Sequence, residues 1–431
     1  MRKKIYIGIF VFVIIFSASS IAVWGFWDKK GKEDLYREVE LFSDTLAIIQ
    51  VEYVDEVKPK DLIYGALKGM LGSLDPHSQF LDADTYNELK VETEGKFGGL
   101  GIEITIKDGL LTVVTPIEDT PAWKIGIKTG DKIVKINNEL TRDITLTDAV
   151  KKLRGKPGEA VNLSILRESE KKIIDFKIVR DVIKIKDIKE AKILQDGIGY
   201  IRLIEFRENT DKDFVSALES LKKKGMTALI LDLRNNPGGL LDQAVRVAEA
   251  FIEKDKIIVY TKGREPSQNM EFRAHKNNPT IDLPMVILIN EGSASGSEIV
   301  AAALQDYKRA IIVGTKSFGK GSVQTVIPLR DGSALKLTTS KYFTPLGRVI
   351  HEKGVLPDIV VEEGRIELTE NKKEEQKTEK LQDVFEEIEK KAKTAKEEGF
   401  EYKTDNQIMS AIGALKAITI FRGEVNEKGR F

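Results

Sequence analysis

The stretch PMVILINEGSASGSEIVAAALQDY, Pro284–Tyr307, reads in order as a strand, a turn and a helix. Met285–Ile289 is an unbroken apolar run, the pattern of a strand covered on both faces. Ser297–Tyr307 is a helical run, and Ser295-Gly296-Ser297-Glu298 fits the S-x-x-E capping box. In that motif the serine hydroxyl accepts an orphan amide proton and the glutamate reaches back. On the motif alone, Ser293, Ser295 and Ser297 are turn and cap residues. The loop also follows the carboxyl end of a buried strand, where α/β sheets place their sites. Ser295 is therefore also a candidate nucleophile, with Ser293 and Ser297 as alternatives.

Outward from this stretch the chain alternates strand and helix from about Asp181. IGYIRLIEF is a strand, TDKDFVSALESLKKKG a helix, TALILDLRNN a buried strand, LLDQAVRVAEAFI a helix and AIIVG a further strand. Continuous apolar strands separated by amphipathic helices predict a parallel or mixed sheet with helices on its faces. Two more loops then fall at strand carboxyl ends: RNNPGG (Arg234–Gly239) and GTKSFGKGSVQ (Gly314–Gln324). Neighbouring strands would bring all three loops together.

Composition narrows the chemistry. The chain has 431 residues, 68 basic and 68 acidic, and no cysteine. Charge balance gives no sign of nucleic-acid binding, and the absence of cysteine excludes thiol catalysis, disulfides and cysteine-ligated zinc. No metal site and no cofactor is expected. A Ser-His-Asp triad would need His77, His275 or His351. These lie in a turn (LDPHSQ), a polar loop (RAHKNN) and a strand end (VIHEKG), none of which reads as a site. A serine hydrolase here needs another base.

Lys320, between Gly319 and Gly321, supplies one. An amine can take the proton of a serine if it is neutral, and an apolar pocket disfavours the ammonium. The oxyanion would then be held by backbone amides, that of Gly296 at the helix N-terminus and those of Gly238 and Gly239 in PGG. Gln324 could hydrogen-bond and orient the amine. The alternative for Lys320 is a solvated loop lysine.

The N-terminus begins MRKK and continues IYIGIFVFVIIFSASSIAVWGFW, uncharged from Ile5 to Trp27. About 20 apolar residues span a bilayer core, and basic residues before the run place that end inside. Residues 1–27 are expected to be an uncleaved transmembrane anchor, with a cleaved signal as the alternative. The catalytic part then lies outside the cytoplasm, at the cell membrane or secreted. Leu35, Val39, Phe42, Leu46, Ile49 and Tyr53 form a heptad-like stripe, either packed within the chain or paired with a second copy. Glu362–Glu398 is charge-dense and reads as a solvated linker becoming a surface helix. DNQIMSAIGALKAI closes the chain as an amphipathic helix.

From about Tyr86 the texture turns to short β-rich pieces. GKFGGLGIEITIKDGLLTVV, PAWKIGIKTGDKIVKINN, ITLTDAVKKLRGKPG, AVNLSILRE and KIIDFKIVR together resemble a PDZ domain, a small α+β unit. The resemblance makes Gly98, Gly99, Leu100, Gly101 and Ile102 the carboxylate-binding loop. Successive amides there would nest a free C-terminus while the adjoining strand edge accepts the peptide. Arg154 in LRGKPG is a candidate contact gating the catalytic part.

LDPHSQFL, the PDZ segment, LDLRNNPGG, GSASGSEIVAAALQDYKRAIIVGTKSFGKGSVQ and YFTPLGRVIHEKGVLPD, in that order, resemble the carboxyl-terminal processing (tail-specific) proteases. The resemblance implies a Ser/Lys-dyad endopeptidase with a PDZ module, on a crotonase/ClpP-like α/β core. It places the nucleophile on Ser295, the base on Lys320 and the orienting glutamine on Gln324. Gly296 stands where the family usually has alanine, and Asp306 matches an acidic position read as structural support. The expected organisation is an anchor or signal (1–27), a helical region (28–85), the PDZ domain (86–181), the protease core with its cap (182–361), and a charged linker with C-terminal helices (362–431). Expected partners are substrates with free C-termini, the membrane and a second copy of the chain. Two other readings remain: a non-catalytic PDZ adaptor on a protease-like scaffold, and a crotonase-like acyl-CoA enzyme.

Overall fold

The computed structural model describes residues 34–275, 282–366 and 402–421. The anchor reading of residues 1–27 and most of the charged linker lie outside them. Among the described residues no helix is long and apolar enough to cross a membrane. The chain divides into two compact units.

The first unit holds residues 34–82 together with Val326–Leu337. Helix α1 (residues 34–52) precedes α2 (Pro59–Gly72) and strand β1 (Gln79–Leu81). Proline opens α2, where its fixed φ and missing N–H cost nothing. β1 pairs antiparallel with Ala334–Lys336. Tyr64 sits edge-on to Phe80 at 4.7 Å and donates its hydroxyl proton to Asp331 at 2.8 Å. All of the heptad stripe except Tyr53 lies in α1, and Leu35, Val39 and Phe42 on it stay exposed.

The second unit begins with α3 (Ala83–Glu94), so the change of texture expected at Tyr86 comes later, at Lys96. None of α3 is buried, which explains why no apolar periodicity announces it. The strands β2 (Lys96–Gly99), β3 (Ile102–Lys107), β4 (Leu110–Pro116), β5 (Lys132–Ile136), β6 (Glu139–Leu140), β7 (Ala160–Arg167), β8 (Lys172–Val179) and β9 (Asp181–Lys184) follow, with short helices α4 (Pro121–Lys124) and α5 (Leu146–Leu153). One sheet runs β3-β4-β5-β7-β8 with β6 on β5, and β2 pairs with β9. Leu111, Ile133, Ala149, Val161, Leu163 and Ile165 fill its core.

The mostly parallel sheet has the order β10-β11-β12-β15-β16-β19. Its strands are β10 (Ile188–Ile193), β11 (Ile198–Leu203), β12 (Ala228–Asp232), β15 (Met285–Ile289), β16 (Ile311–Gly314) and β19 (Ile359–Val360). β10 is antiparallel and the rest parallel, as the unbroken apolar runs predict. Side chains alternate across a strand. Leu229, Leu231 and Ile287 therefore pack against α6 (Thr210–Lys223), α7 (Leu241–Ala248) and α8 (Gly296–Asp306) on one face. Ile230, Val286 and Leu288 face the C-terminal helix α9 (Asn406–Phe421) on the other, against Ile408, Ala411, Ile412 and Leu415. Fully burying such an aliphatic side chain contributes about 1.5–3 kcal/mol.

Two strands absent from the sequence-based expectation are β13 (Ile257–Gly263) and β14 (Glu271–Arg273). β13 pairs with β14 and with the second half of β18 (Ala334–Phe343), from Tyr260↔Phe343 to Gly263↔Ser340. β17 (Ser322–Pro328) pairs with β18.

Candidate active site

β12, β15 and β16 are adjacent and parallel, so the three loops at their carboxyl ends meet at one edge. They are bonded to one another as well as close. Asn236 O accepts from Ala294 N at 3.0 Å and from Ser297 Oγ at 2.9 Å, and Asn235 Oδ1 from Asn290 Nδ2 at 3.0 Å. Phe318 N donates to Ser293 O at 3.0 Å.

The three serines now separate. Ser293 Oγ donates to Leu233 O at 2.8 Å and Ser297 Oγ to Asn236 O, both in fully buried surroundings. These two hydroxyls brace the turn. Ser295 stands at the N-cap of α8 with φ 52° and ψ −109°, a region an L-residue enters only at a cost of about 1–3 kcal/mol. Ser297 N closes this turn on Ala294 O at 3.1 Å.

Glu298 holds the turn to the lysine loop. It is completely buried. Its Oε2 accepts from Ser295 N at 2.9 Å and from Lys320 N at 2.9 Å. Its Oε1 accepts from Ser317 Oγ at 2.5 Å and Gly319 N at 2.7 Å. Burial pushes its carboxyl above the usual range, while the four donors oppose that shift. The capping glutamate of the sequence is thus also the bridge between two loops, which a local motif cannot reveal. Buried Tyr342 of β18 adds a second bridge: its hydroxyl bonds Lys320 O and lies 3.4 Å from Ser295 O. Nothing local marked it.

Lys320 follows Gly319, whose φ is +94°. A Cβ at Gly319 would come within 3.1 Å of Glu352 C, and one at Gly321 within 2.3 Å of His351 N. These glycines let the 350–354 segment pack directly on the lysine loop. Gln324 Nε2 donates to Ser322 Oγ at 2.9 Å and to Thr338 Oγ1 at 3.4 Å.

The PGG turn lies against Ser295. A Cβ on Gly238, at φ +101°, would be 2.7 Å from Ser295 Cβ and 2.8 Å from Gly296 N. Gly239, at φ +136°, leaves room for Phe206 O, 2.1 Å from where its Cβ would be. Of the three amides expected to hold an oxyanion, that of Gly238 is already engaged with Asn236 Oδ1 at 2.9 Å. A Cβ on Gly296 would sit 3.1 Å from Phe206 and 3.2 Å from Ala244. The close backing by Phe206 accounts for glycine being accommodated here.

Asp306 receives Leu346 N at 2.9 Å and pairs with Arg348, a structural tie from α8 to the turn after β18. Arg234 is buried, and burial disfavours its cation. Its hydrogen bonds and ion pairs with Asp232 and Asp405 more than reverse this and raise its pKa. His275 Nδ1 lies 2.6 Å from Glu249, and His77 N donates to Asp75.

Gly99 ends β2, which pairs with β9, and Ile102 starts β3 of the antiparallel sheet. Leu100 is buried, and Gly101 adopts φ +77°, with a Cβ there 2.2 Å from Thr120. Ala122 N donates to Leu100 O at 2.9 Å and Ile117 N donates to Gly101 O at 2.8 Å. β3 pairs with β4 and is an edge strand of its sheet, with α5 beside it. Arg154 stacks over Phe97 at 4.5 Å, within the same module.

A serine turn at the head of a buried helix, tied to a lysine loop, in a chain that also carries a small antiparallel unit with a glycine-rich loop, is the arrangement of a serine peptidase with a PDZ domain. Sequence comparison agrees. Residues 197–361 match peptidase family S41, residues 112–167 a PDZ domain, and residues 20–85 the activating protease CtpB N-terminal domain. The carboxy-terminal-processing protease of Bartonella bacilliformis is 45% identical over 84% of this chain and 83% of its own. Carboxy-terminal processing protease CtpB of Bacillus subtilis is 37% identical over 73% of this chain and 66% of its own. A solved photosystem II D1 C-terminal processing protease is 29% identical over 75% of this chain and 92% of its own, with a TM-score of 0.44. The chain belongs to the carboxy-terminal processing proteases of peptidase family S41.

Proposed function

We propose that this chain is a membrane-anchored endopeptidase, acting outside the cytoplasm, that cleaves by a Ser295–Lys320 dyad. The observation that carries this reading is Glu298 Oε2 accepting the amide protons of both residues, which brings the two backbones within two hydrogen-bond lengths. In the reaction, Ser295 Oγ attacks the peptide carbonyl carbon while the neutral Lys320 amine takes the hydroxyl proton. The oxyanion is held by the amides of Gly296, at the start of α8, and Gly239, with Gly238 giving the close approach. The tetrahedral intermediate collapses, and Lys320 returns the proton to the leaving amine. Water, deprotonated by the same lysine, then hydrolyses the acyl-enzyme. Gln324 orients the amine.

The PDZ module captures the substrate's free C-terminus: the amides of Gly98–Ile102 nest the carboxylate and the edge of β3 takes the chain as an added strand. Residues 1–27 anchor the protein. The exposed stripe of α1 is the seam of a homodimer, which light scattering of the protein without residues 1–27 tests; a strict monomer removes the seam. The domain limits given above stand as part of the same reading.

The deciding experiment is cleavage of an unfolded protein with an apolar C-terminus. Ser295→Ala and Lys320→Ala should each reduce the rate at least about 1,000-fold while still binding a C-terminal peptide. Cleavage that persists in both variants refutes the dyad. A wild-type chain that binds the peptide without ever cutting it would instead be an adaptor.

A further inference from the structure

The C-terminal helix reaches the catalytic edge from the opposite face of the sheet. Ile408, Ala411, Ile412 and Leu415 dock it on Tyr200, Ile230, Val286, Leu288 and Val313. Its first turn is built around Arg234, the residue that opens the RNNPGG loop. Asp405 Oδ1 caps α9 by accepting from Gln407 N and Ile408 N, each at 3.0 Å. Asp405 Oδ2 lies 2.9 Å from Arg234 Nη1, and Gln407 Oε1 accepts from the same nitrogen at 2.8 Å. The rest of the guanidinium is held by Asp232, Nε to Oδ1 at 2.9 Å and Nη2 to Oδ2 at 2.7 Å. Gln407 also donates to Val361 O at 2.7 Å, and Val361 N donates to Gly314 O at 2.9 Å, where β16 gives way to the lysine loop.

The helix thus grips the roots of two site loops at once. Downstream of Arg234, Asn236 fixes the serine turn through Ala294 N and Ser297 Oγ, and fixes Gly238 through its own Oδ1. A buried cation left with one carboxylate partner would draw in water and loosen the loop that starts with it. Misplacement of a reacting group by about 1 Å can cost about 100-fold in rate.

We infer that Asp405 and Gln407 are positioning residues for the peptidase: through Arg234 they set the loop Leu233–Gly239, and through Asn236 the turn that presents Ser295. This rests on Ser295 being the nucleophile. The sequence alone places these residues in an ordinary terminal helix, some 170 positions from Arg234.

The test uses the full chain carrying Asp405→Asn, Gln407→Ala, Asp405→Glu and, to undock the helix, Ile412→Asp. kcat and KM are measured on the unfolded substrate, with labelling of Ser295 by a fluorophosphonate, hydrogen exchange over 406–421 and a melting curve. Asp405→Asn and Gln407→Ala should lower kcat and labelling about 10- to 100-fold with KM nearly unchanged. Asp405→Glu should recover most of the loss, and Ile412→Asp should lose protection of the helix and activity together. Wild-type kcat in Asp405→Asn and in Ile412→Asp overturns the inference, whether or not the helix stays protected. So does a loss no larger than the fraction unfolded at the assay temperature. Ser295→Ala, run alongside, separates the two readings: if it still cleaves, the nucleophile is wrong; if it is dead while the Asp405 variants are fully active, only the positioning role falls.

Discussion

The amides of Ser295 and Lys320 donate to the same carboxylate oxygen, Glu298 Oε2, each at 2.9 Å. One buried acceptor therefore ties together two loops that are distant in sequence, alongside the bond from Phe318 N to Ser293 O. Replacing Glu298 by Gln keeps the shape but substitutes an NH2 group for one acceptor oxygen. At least one buried donor then faces another donor, which costs about 1–3 kcal/mol. Glu298→Gln should lower the melting temperature and reduce kcat more than tenfold; unaltered kcat would show that the bridge does not set the site.

Ser295 holds φ 52° and ψ −109°, a conformation that suits glycine. Ser295→Gly should therefore stabilise the fold by about 1 kcal/mol while removing the proposed nucleophile. Ser295→Ala should remove the nucleophile without that gain. Chemical denaturation of the pair checks this, and equal stabilities would mean the turn carries no strain.

Gly238 is pressed against Ser295, and a methyl there would sit 2.7 Å from Ser295 Cβ at a φ of +101°. Gly238→Ala should destabilise by about 1–3 kcal/mol and displace the serine. The readout is kcat, expected to fall about 100-fold, with binding of a C-terminal peptide intact. A near-normal kcat would place the PGG turn outside the machinery.

A lysine base must be uncharged to accept the proton of Ser295. kcat/KM should therefore rise with pH along a single deprotonation and then level off. Lys320→Arg keeps a cation that does not deprotonate, so it should be inactive across the range. Activity in Lys320→Arg, or a flat profile, would assign the base elsewhere.

Much of this was legible in one dimension. Unbroken apolar runs such as Met285–Ile289 read as strands covered on both faces, and their alternation with helices pointed to a parallel or mixed sheet with its loops at strand carboxyl ends. The absence of cysteine and the poverty of histidine pointed to lysine as base. Less was legible where a residue's role depends on a distant partner. α3 has no buried face to print a periodicity, and β13 and β14 went unread until β18 paired with them. Gly238 looked like an oxyanion donor, but its amide is spent on Asn236. Glu298 read as a cap and is also a bridge, while Tyr342 and Asp405 carried no local signal.

The sequence by itself determined the elements, the family and which residue types could do the chemistry, because periodicity, turn chemistry and motif order are local properties of a chain. Only the tertiary structure decided that the Ser293 and Ser297 hydroxyls are buried and bonded, that Glu298 ties Ser295 to Lys320, and that the helix at 406–421 grips Arg234. Those are matters of hydrogen-bond pairing in buried space, where each donor must find an acceptor and the nearest one is set by how the strands lie side by side.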